Sequence, residues 1–288
     1  NLTLCILGNL LNNFLSFLTK MDFTLKTYRQ LLLAFQGAGY KFLTFEYYCI
    51  SKANNKELPE KFILLRHDVD LKAENSLATA KIEAQLGIVA SYYFRVVPQS
   101  NKPNIIKAIA ELGHEIGYHY EDMGLYNGNE SFAIEHFEKQ LKYFRQYYPV
   151  KTICMHGNPT SKWDSKDLWK AHRYEDFGII GEPYFDIDFS SFFYLTDTGR
   201  CWNGYNMSIR DKIPVYQDEW IKQGLIFHSS YNILDALKND VFEKKGINQI
   251  MITTHPQRWT DSKKEWIVEF FMQNLKNIVK YAISLVKN

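Results

Sequence analysis

The sequence has no strong excess of either charge, no paired cysteines and no long uninterrupted apolar run. Its 34 basic and 32 acidic side chains leave a net charge of only +2, and the basic residues form no stripe. A nucleic-acid-binding surface needs such a stripe, so we expect no nucleic-acid partner. The cysteines include no C-x-x-C pair, which indicates free thiols in a reducing compartment and leaves a single disulfide open. They are Cys5, Cys49, Cys154 and Cys201.

Residues 1–20 lack the features of a secretory signal and of a membrane span. No basic stretch precedes the apolar residues, no small-residue cleavage site follows them, and three asparagines interrupt them. The lack of a signal favours the cytoplasm, and we expect no stable membrane span. The apolar spacing instead predicts an amphipathic extension to one domain over residues 21–288, with a helix at a membrane interface as the alternative. The apolar positions are Leu4, Leu7, Leu11, Phe14 and Leu18.

Short apolar runs alternate with helical patterns along most of the chain, and no repeat of fixed period is present. This alternation predicts an α/β fold with six or seven parallel strands, either a doubly wound sheet or a closed βα barrel. In both architectures the functional side chains follow the carboxyl ends of the strands. Strands are predicted at 62–65, 90–96, 115–118, 152–155, 178–181, 225–227 and 249–253, and an irregular stretch between 182 and 220.

Two carboxylates follow the first of these strands. Asp68 and Asp70 are two residues apart in the sequence Arg-His-Asp-Val-Asp, so strand geometry points both to the same face. Like charges at this distance are costly unless a metal, a cation or a shared proton compensates them. Asp70 alone also fits the N-cap of the following helix, but that interpretation leaves Asp68 unexplained.

Histidines at the ends of later strands supply the groups that such a pair needs. His119 lies at the end of the third strand, His156 after the fourth and His255 after the last. One aspartate with one or two histidines is a common ligand set for a divalent metal, and a second carboxylate and a further histidine serve as general base and acid. The set therefore predicts metal-assisted hydrolysis. Two other histidines, His67 and His114, are expected to have packing roles.

These motifs resemble those of the polysaccharide deacetylases of carbohydrate esterase family 4, the group named for the nodulation-factor deacetylase. The resemblance extends from about residue 62 to residue 259 and implies a distorted (β/α) barrel with about seven strands. It implies that Asp68 is the catalytic base and that Asp70 is a metal ligand. It further implies that His119 is the first histidine ligand and that His255, in its His-Pro pair, is the general acid.

The chain departs from the family pattern at the second histidine ligand. The family places that ligand four residues after the first, where this chain has Met123. Asp122 replaces it if the segment turns helical, and Glu121 is a further candidate. His156 stands where the family has an arginine that orients the base, so it is either the third ligand, which we favour, or the partner of Asp68. The pattern is most similar to a divergent branch associated with O-antigen and surface-polysaccharide biosynthesis.

A long stretch from 181 to 210 is rich in aromatic side chains, which make up 16% of the whole chain. Loops of this length in a compact domain are often functional, and a structural insertion that covers the barrel is the alternative. The candidates for substrate contacts in this stretch are Tyr184, Asp197, Arg200 and Trp202.

Together these features predict a metal-dependent hydrolase, with zinc as the expected metal. Its expected substrate is a saccharide, from which it removes an N-acetyl or similar acyl group of an amino sugar. Two alternatives use the same residues. A metal-free glycosidase needs the paired carboxylates but leaves the histidines unexplained. A degenerate barrel binds glycans without cleaving them.

Overall fold

The structure is a computed structural model that describes residues 21–158, 161–202 and 213–287, with side chains up to residue 277. Its central element is a sheet of seven parallel strands in the order β5-β4-β3-β2-β7-β6, with β1 beside the first half of β2. The sheet is curled like part of a barrel, which confirms the predicted distorted (β/α) barrel. The strands are β1 (Lys41–Leu43), β2 (Phe62–Val69), β3 (Ser91–Phe94), β4 (Glu115–Tyr120), β5 (Ile153–Met155), β6 (Phe193–Thr196) and β7 (Gln249–Thr254).

Helices connect the strands, and several begin at a side-chain cap. The hydroxyl of Thr24 accepts from the N–H of Thr27, and the side chain of Asn129 accepts from the N–H of Phe132. Such caps satisfy amide groups that the first helical turn leaves without partners. The helices are α1 (Leu25–Gly37), α2 (Phe45–Ala53), α3 (Ala73–Gln85), α4 (Pro103–Glu111), α5 (Asp122–Leu125), α6 (Glu130–Phe144), α7 (Pro183–Asp186), α8 (Pro214–Lys222), α9 (Ser230–Lys238), α10 (Val241–Lys244) and α11 (Lys263–Lys287).

Two of the predicted strands differ from the structure. Residues 178–181 contribute a single bridge, from Gly181 to Thr152, and residues 225–227 form no strand although two of their side chains are buried. The sixth strand is instead β6, inside the stretch predicted to be irregular, where it pairs with β7. A short apolar run is buried in either case, so pairing with a segment distant in sequence decides between strand and loop.

The central strand β2 positions the first part of the site. It is buried along its whole length and extends four residues beyond its predicted end, so that Asp68 lies within it and Asp70 directly follows it. Alternate side chains point to opposite faces of a strand. Arg66 and Asp68 accordingly face the inside of the barrel, while His67 faces α3 and contacts Glu83.

A glycine on β4 makes room inside the barrel, two residues before His119. A Cβ atom at Gly117 would lie 2.3 Å from Cε1 of Tyr93, a distance that real contacts do not reach. The ring of Tyr93 therefore packs directly on the backbone of Gly117 and fills the interior of the barrel below the strand ends. The polar residues at those ends rest on a packed layer rather than on a pore.

The last helix, α11, has 25 residues and is the longest of the described helices. Its inner side chains Trp266 and Gln273 are buried, and apolar side chains on its opposite face are exposed. Within the described ranges no helix combines the length and the apolar character needed to cross a membrane. The amphipathic extension predicted for residues 1–20 lies outside the described residues.

Candidate active site

Five predicted site residues meet at the carboxyl ends of the strands. Asp68 and Asp70 come from the end of β2, His119 from β4, and His156 and His255 from the loops after β5 and β7. The side chain of Asp70 lies at their centre. Its Oδ1 is 3.4 Å from Nε2 of His156 and 3.6 Å from Nε2 of His119. Its Oδ2 is 3.9 Å from Nε2 of His255.

One oxygen of Asp70 is a buried acceptor without a donor. Oδ1 is shielded from solvent and has no hydrogen-bond partner among the described residues, while Oδ2 accepts a long bond of 3.4 Å from Nε2 of Gln257. Burial acts to raise the pKa of Asp70, but the three surrounding imidazoles outweigh it and hold this pKa below its ordinary value. A charged, buried oxygen without a donor is costly, and a bound cation removes that cost.

The distances from Asp70 to two imidazoles, those of His119 and His156, each fit a pair of ligands that share a metal ion. Ligands about 2.1 Å from a tetrahedral ion lie roughly 3.4 Å apart. The structure has separations of 3.4 and 3.6 Å between Oδ1 of Asp70 and the two imidazoles. Burial lowers the pKa of His119 to about 4, so its ring is neutral near pH 7 and keeps a lone pair for a metal. One carboxylate with two imidazoles suits zinc or a similar divalent ion.

Hydrogen bonds on the far ring nitrogens fix both imidazoles. Nδ1 of His119 donates to the carbonyl of Cys154 at 2.9 Å, and Nδ1 of His156 donates to Oε2 of Glu121 at 3.0 Å. Arg95 in turn donates to both oxygens of Glu121, at 2.9 and 2.8 Å. Partners of this kind set the tautomer that leaves Nε2 free to bind a metal.

The two other candidates for the third ligand have different partners. Asp122 accepts from the hydroxyl of Tyr118 at 2.9 Å and from Nδ1 of His136 at 2.6 Å, on the opposite face of β4 from His119. Glu121 holds His156 instead of facing Asp70. Of these three alternatives, His156 is the one that the structure places in contact with Asp70.

A second group of potential ligands overlaps the first. Asp68, His119 and Cys154 each offer one atom, and these atoms lie within 4.8 Å of one another. Both carboxylate oxygens of Asp68, however, accept bonds from Arg66, which already compensates the charge. The buried Oδ1 of Asp70 has no such donor among the described residues. The open acceptor therefore favours Asp70 over Asp68 as the carboxylate ligand, whereas the second group is the one whose three atoms all lie within 4.8 Å of one another.

Arg66 is the cation that orients Asp68. Its Nε donates to Oδ1 at 2.8 Å and its Nη2 donates to Oδ2 at 2.7 Å, a paired geometry that fixes the carboxylate plane. Burial acts against the charge of Arg66, but Asp68 keeps the pKa of the guanidinium above its ordinary value. The orienting role considered for His156 therefore belongs to Arg66. The sequence could have predicted this contact, because positions 66 and 68 lie on the same face of a strand.

His255 is held by the buried carboxylate of Asp197. Nδ1 of His255 donates to Oδ1 at 2.6 Å, and its backbone N–H donates to Oδ2 at 2.9 Å. Arg258 and the indole N–H of Trp259 donate to the same carboxylate. Burial acts to raise the pKa of Asp197, but Arg258 and His255 hold it below its ordinary value. Asp197 thus orients His255, and its complete burial removes it from the predicted substrate contacts.

The other predicted substrate contacts lie in different surroundings. Tyr184 borders the site, because its hydroxyl accepts from Nη2 of Arg66 at 3.3 Å and its side chain is partly exposed. Arg200 instead packs its guanidinium 4.9 Å from the ring of Trp266 on α11. Trp202 has no exposed surface, because it belongs to the aromatic core. Of the predicted contacts, Tyr184 is the one that the structure places at the border of the site.

Besides Arg66, three further side chains of the described site are absent from the predicted set. Arg95 directly follows β3 and holds Glu121, and Gln257 and Arg258 lie in the short 3-10 helix after β7. Each of the three follows the carboxyl end of a strand, and this position is the sequence feature that could have identified them as site residues. Polar residues are common in such loops, so the partner geometry is needed to select them.

No protein-family model matches the chain, and no curated protein matches it. Among solved structures, it is similar to the deacetylase PplD of Streptococcus pyogenes in complex with acetate, with 14% identity and a TM-score of 0.44 over 54% of this chain and 70% of that one. IcaB from Ammonifex degensii gives 15% identity and a TM-score of 0.41 over 51% of this chain and 72% of that one.

A third similar structure is a mutant of BA3943, described as a CE4 family pseudoenzyme with restored enzymatic activity. It has 11% identity and a TM-score of 0.38, and the match covers 71% of each chain. The matched structures thus include a deacetylase and a member of the family that the motifs resemble. Similarity at this level carries no argument for this chain, whose function is inferred from the geometry of its own site.

Proposed function

We propose that the chain is a metal-dependent hydrolase that removes an acyl group from an N-acylated amino sugar in a saccharide. One observation carries this proposal. Oδ1 of Asp70 is buried without a donor among the described residues, and it faces two imidazole nitrogens at 3.4 and 3.6 Å. A structural cluster would satisfy that oxygen with a hydrogen bond, whereas a metal site leaves it for the ion.

Asp70, His119 and His156 are the residues that would hold a divalent metal ion, with zinc as the first candidate. When bound, the ion supplies a Lewis acid that polarises the acyl carbonyl of the substrate. Glu121 and the carbonyl of Cys154 keep the two imidazoles oriented toward Asp70. These outer partners keep Nε2 of each imidazole within 3.6 Å of Oδ1 of Asp70 before any substrate arrives.

Asp68 accepts the proton of the attacking water. Arg66 donates to both of its oxygens, so the carboxylate is held in one plane and directed into the barrel mouth beside His119. The water oxygen forms a bond to the acyl carbon as its proton passes to Asp68. General-base assistance of this kind contributes about a hundredfold to ten-thousandfold in rate.

His255 donates a proton to the departing amine nitrogen. Its Nδ1 is fixed by Asp197, so Nε2 is the nitrogen that points to the site, 3.9 Å from Oδ2 of Asp70. The C–N bond of the amide breaks as nitrogen takes the proton. The products are a free amino sugar and a carboxylate, which is acetate for an N-acetyl substrate.

The substrate is a carbohydrate, and Tyr184 forms part of the surface that receives it. The ring lies 5.3 Å from the guanidinium carbon of Arg66 and 4.9 Å from Nζ of Lys166. Aromatic faces beside hydrogen-bonding groups suit the apolar faces and hydroxyls of sugars. A role in the biosynthesis of O-antigen or another surface polysaccharide belongs to the same proposal.

A metal-free glycosidase fits the site less well. That chemistry needs one protonated carboxylic acid with a raised pKa beside a second carboxylate. The pKa of Asp70 is held below its ordinary value by the imidazoles, which is the opposite change. Asp68 is paired with Arg66 on both oxygens, so neither carboxylate is prepared to donate a proton.

The direct test is release of acetate from N-acetylated amino-sugar oligomers by zinc- or cobalt-loaded protein. Asp68→Asn should reduce turnover by at least about a hundredfold and leave metal content unchanged, because Asp68 acts on the proton and not on the ion. Asp218→Asn, at an exposed position on α8, is the matched control.

No acetate from any acylated amino sugar, with the metal fully loaded, would count against the proposal. An unchanged glycan affinity together with no turnover in either the native chain or Asp68→Asn would favour a glycan-binding barrel. Hydrolysis of glycosidic bonds by metal-stripped protein would favour the glycosidase.

A further inference from the structure

The helix α11 has a second apolar face that the described residues leave uncovered. Its inner face carries the buried side chains of Trp266 and Gln273. The opposite face, here called the outer stripe, exposes between 37% and 68% of each apolar side chain. Isolated apolar residues on a surface are ordinary, but a continuous row of them on one helix marks a contact surface. The outer stripe consists of Ile267, Val268, Phe271, Met272 and Leu275.

The spacing within the outer stripe is that of helices that pair lengthwise. Val268, Phe271 and Leu275 are separated by three and then four residues, and the sequence continues the alternation in its next apolar residues. A repeat of three and four places every such residue along one seam, which a second helix covers with side chains of the same spacing. The repeat continues in sequence at Ile278, Ala282 and Leu285.

The beginning of the described chain is attached to the first turn of α11. The backbone carbonyl of Asp22 accepts from the indole N–H of Trp266 at 2.5 Å, and from Nη2 of Arg200 at 3.4 Å. The carbonyl of Met21 accepts from the hydroxyl of Tyr231 at 3.2 Å. The described chain therefore begins at the first turn of α11, on the face opposite to the outer stripe, and three residues separate Leu18 from Asp22.

The sequence of residues 1–20 complements the outer stripe in three respects. Its apolar residues repeat with the same alternation of three and four, from Leu4 to Leu18. Leu4 and Leu18 are fourteen positions apart, and so are Val268 and Ala282. Its charged side chains consist of Lys20 alone, so the segment has apolar surface to bury and little charge to desolvate.

We propose that the outer stripe of α11 is the docking surface for residues 1–20 of the same chain, in the antiparallel direction. The attachment at Asp22 sets this direction, because Leu18 then lies nearest Val268 and Leu4 nearest the carboxyl end of α11. The connection also raises the local concentration of the segment to about the millimolar range, which a second chain does not reach at ordinary protein concentrations. Docking covers the apolar residues of both partners.

Hydrogen–deuterium exchange of the full chain tests the docking. Backbone amides between Leu4 and Leu18 should be protected, and Phe271→Asp with Leu275→Asp should raise their exchange rates at least about tenfold. Lys276→Asp, at an exposed position beside the outer stripe, should leave the rates unchanged. Amides of β2 and β4 in the same experiment report that the barrel stays folded.

Disulfide trapping gives a second test that needs no destabilising charge. Leu18→Cys combined with Val268→Cys should form a disulfide within one chain, identified by mass spectrometry of the digested protein. Leu18→Cys with Lys276→Cys is the mismatched pair and should form much less. A disulfide between two chains, or protection that rises with protein concentration, would overturn the proposal in favour of a second copy.

The following outcomes would also overturn the docking proposal. Unprotected amides between Leu4 and Leu18 in the native chain, or equal protection in the double variant, overturn the docking. Protection that appears only with phospholipid vesicles overturns it in favour of a lipid surface. Equal disulfide yields in the matched and mismatched pairs show that the segment has no fixed position on α11, which contradicts the proposal.

Discussion

Two buried clusters of this protein join a carboxylate to histidines, on opposite sides of the sheet, and their hydrogen bonds differ. Inside the barrel mouth, Asp70 faces three imidazoles. On the outer side, Glu83 of α3 contacts Nε2 of His67 at 2.8 Å and accepts from the hydroxyl of Tyr92 at 2.8 Å and from that of Tyr28. Both carboxylates have pKa values held below the ordinary range by neighbouring histidines, although burial acts to raise them.

The two clusters differ in whether every carboxylate oxygen accepts a hydrogen bond. Each oxygen of Glu83 accepts from at least one hydroxyl or imidazole of the protein, so the outer cluster is complete by itself. Oδ1 of Asp70 has no donor among the described residues. Histidines beside a buried acid therefore do not by themselves indicate a metal. The proposed metal site rests instead on the acceptor left open beside imidazole nitrogens.

The largest expected difference between the clusters is in metal affinity. Asp70→Asn should lower zinc affinity roughly a thousandfold, since about 10–16 kcal/mol of zinc binding is shared among a few ligands. Glu83→Gln, the matched change in the outer cluster, should leave the affinity within about threefold. Isothermal titration of zinc into both variants measures this. Similar losses in the two variants would show that the clusters do not differ in the proposed way.

The second expected difference between the clusters is in the free energy of unfolding. Here the larger effect belongs to the outer cluster, whereas the larger effect on metal affinity belongs to Asp70. Glu83→Gln should lower the free energy of unfolding by about 3–5 kcal/mol, because it breaks a buried charged network and leaves its partners unsatisfied. Asp70→Asn should lower the stability of metal-free protein less than Glu83→Gln does, because it removes a favourable interaction with the imidazoles but fewer hydrogen bonds. Urea unfolding of both variants after chelation is the measurement. A larger loss for Asp70→Asn would reverse the comparison.

A third buried acid, Glu115, extends the comparison to a carboxyl whose hydrogen bonds come from the backbone and from hydroxyl groups. Glu115 accepts from the backbone of Glu46 and from Ser91, and burial raises its pKa from 4.5 to about 7. The folded state thus keeps a proton that the unfolded state loses between pH 4.5 and 7. Stability should fall by roughly 3 kcal/mol as pH rises through that interval.

Glu115→Gln isolates this contribution. The variant should lose that part of the pH dependence and be more stable than the native chain at pH 8. Urea unfolding at pH 5 and pH 8 compares the two proteins. Glu182, whose pKa burial also raises to about 7, remains as an internal reference in both. An unchanged difference between pH 5 and pH 8 in Glu115→Gln would contradict the assignment.

The smallest expected effect concerns the weak bond on the other oxygen of Asp70. Gln257 donates to Oδ2 at 3.4 Å, so it steadies the carboxylate without binding the metal. Gln257→Leu should lower zinc affinity about tenfold, within the range for outer partners of metal ligands. Stability should change little in comparison. Titration with zinc measures the effect, and a loss as large as that of Asp70→Asn would make Gln257 itself a ligand.

Much of the fold and the central residues of the site could be predicted from the sequence. Alternation of apolar runs and helices specifies parallel strands, and parallel strands place their carboxyl ends on one edge. That argument alone brings Asp68, Asp70, His119, His156 and His255 together. Their separate roles do not follow from it, because roles depend on distances of a few ångströms between segments that are far apart in sequence.

The aromatic stretch shows what the sequence could not supply. Trp202 is aromatic and Arg200 is charged, and both lie in a long connection. Both are therefore residue types that suit a substrate-binding surface. In the structure Trp202 stacks with Phe23, and Arg200 lies over the rings of Phe23 and Trp266. A residue type does not specify the direction in which a side chain points. That direction here depends on the start of the domain, about 180 residues earlier in the chain.

The bond between Arg66 and Asp68 also has a consequence for how the site responds to motion. Arg66, Asp68 and Asp70 occupy alternate positions of residues 66–70, so the spacing of their backbones is fixed by the chain itself. Sliding of the neighbouring strands changes the distances from His119 and His255 to Asp70. It leaves the spacing within residues 66–70 unchanged. On heating, we therefore expect metal affinity to weaken before the Arg66–Asp68 pair separates.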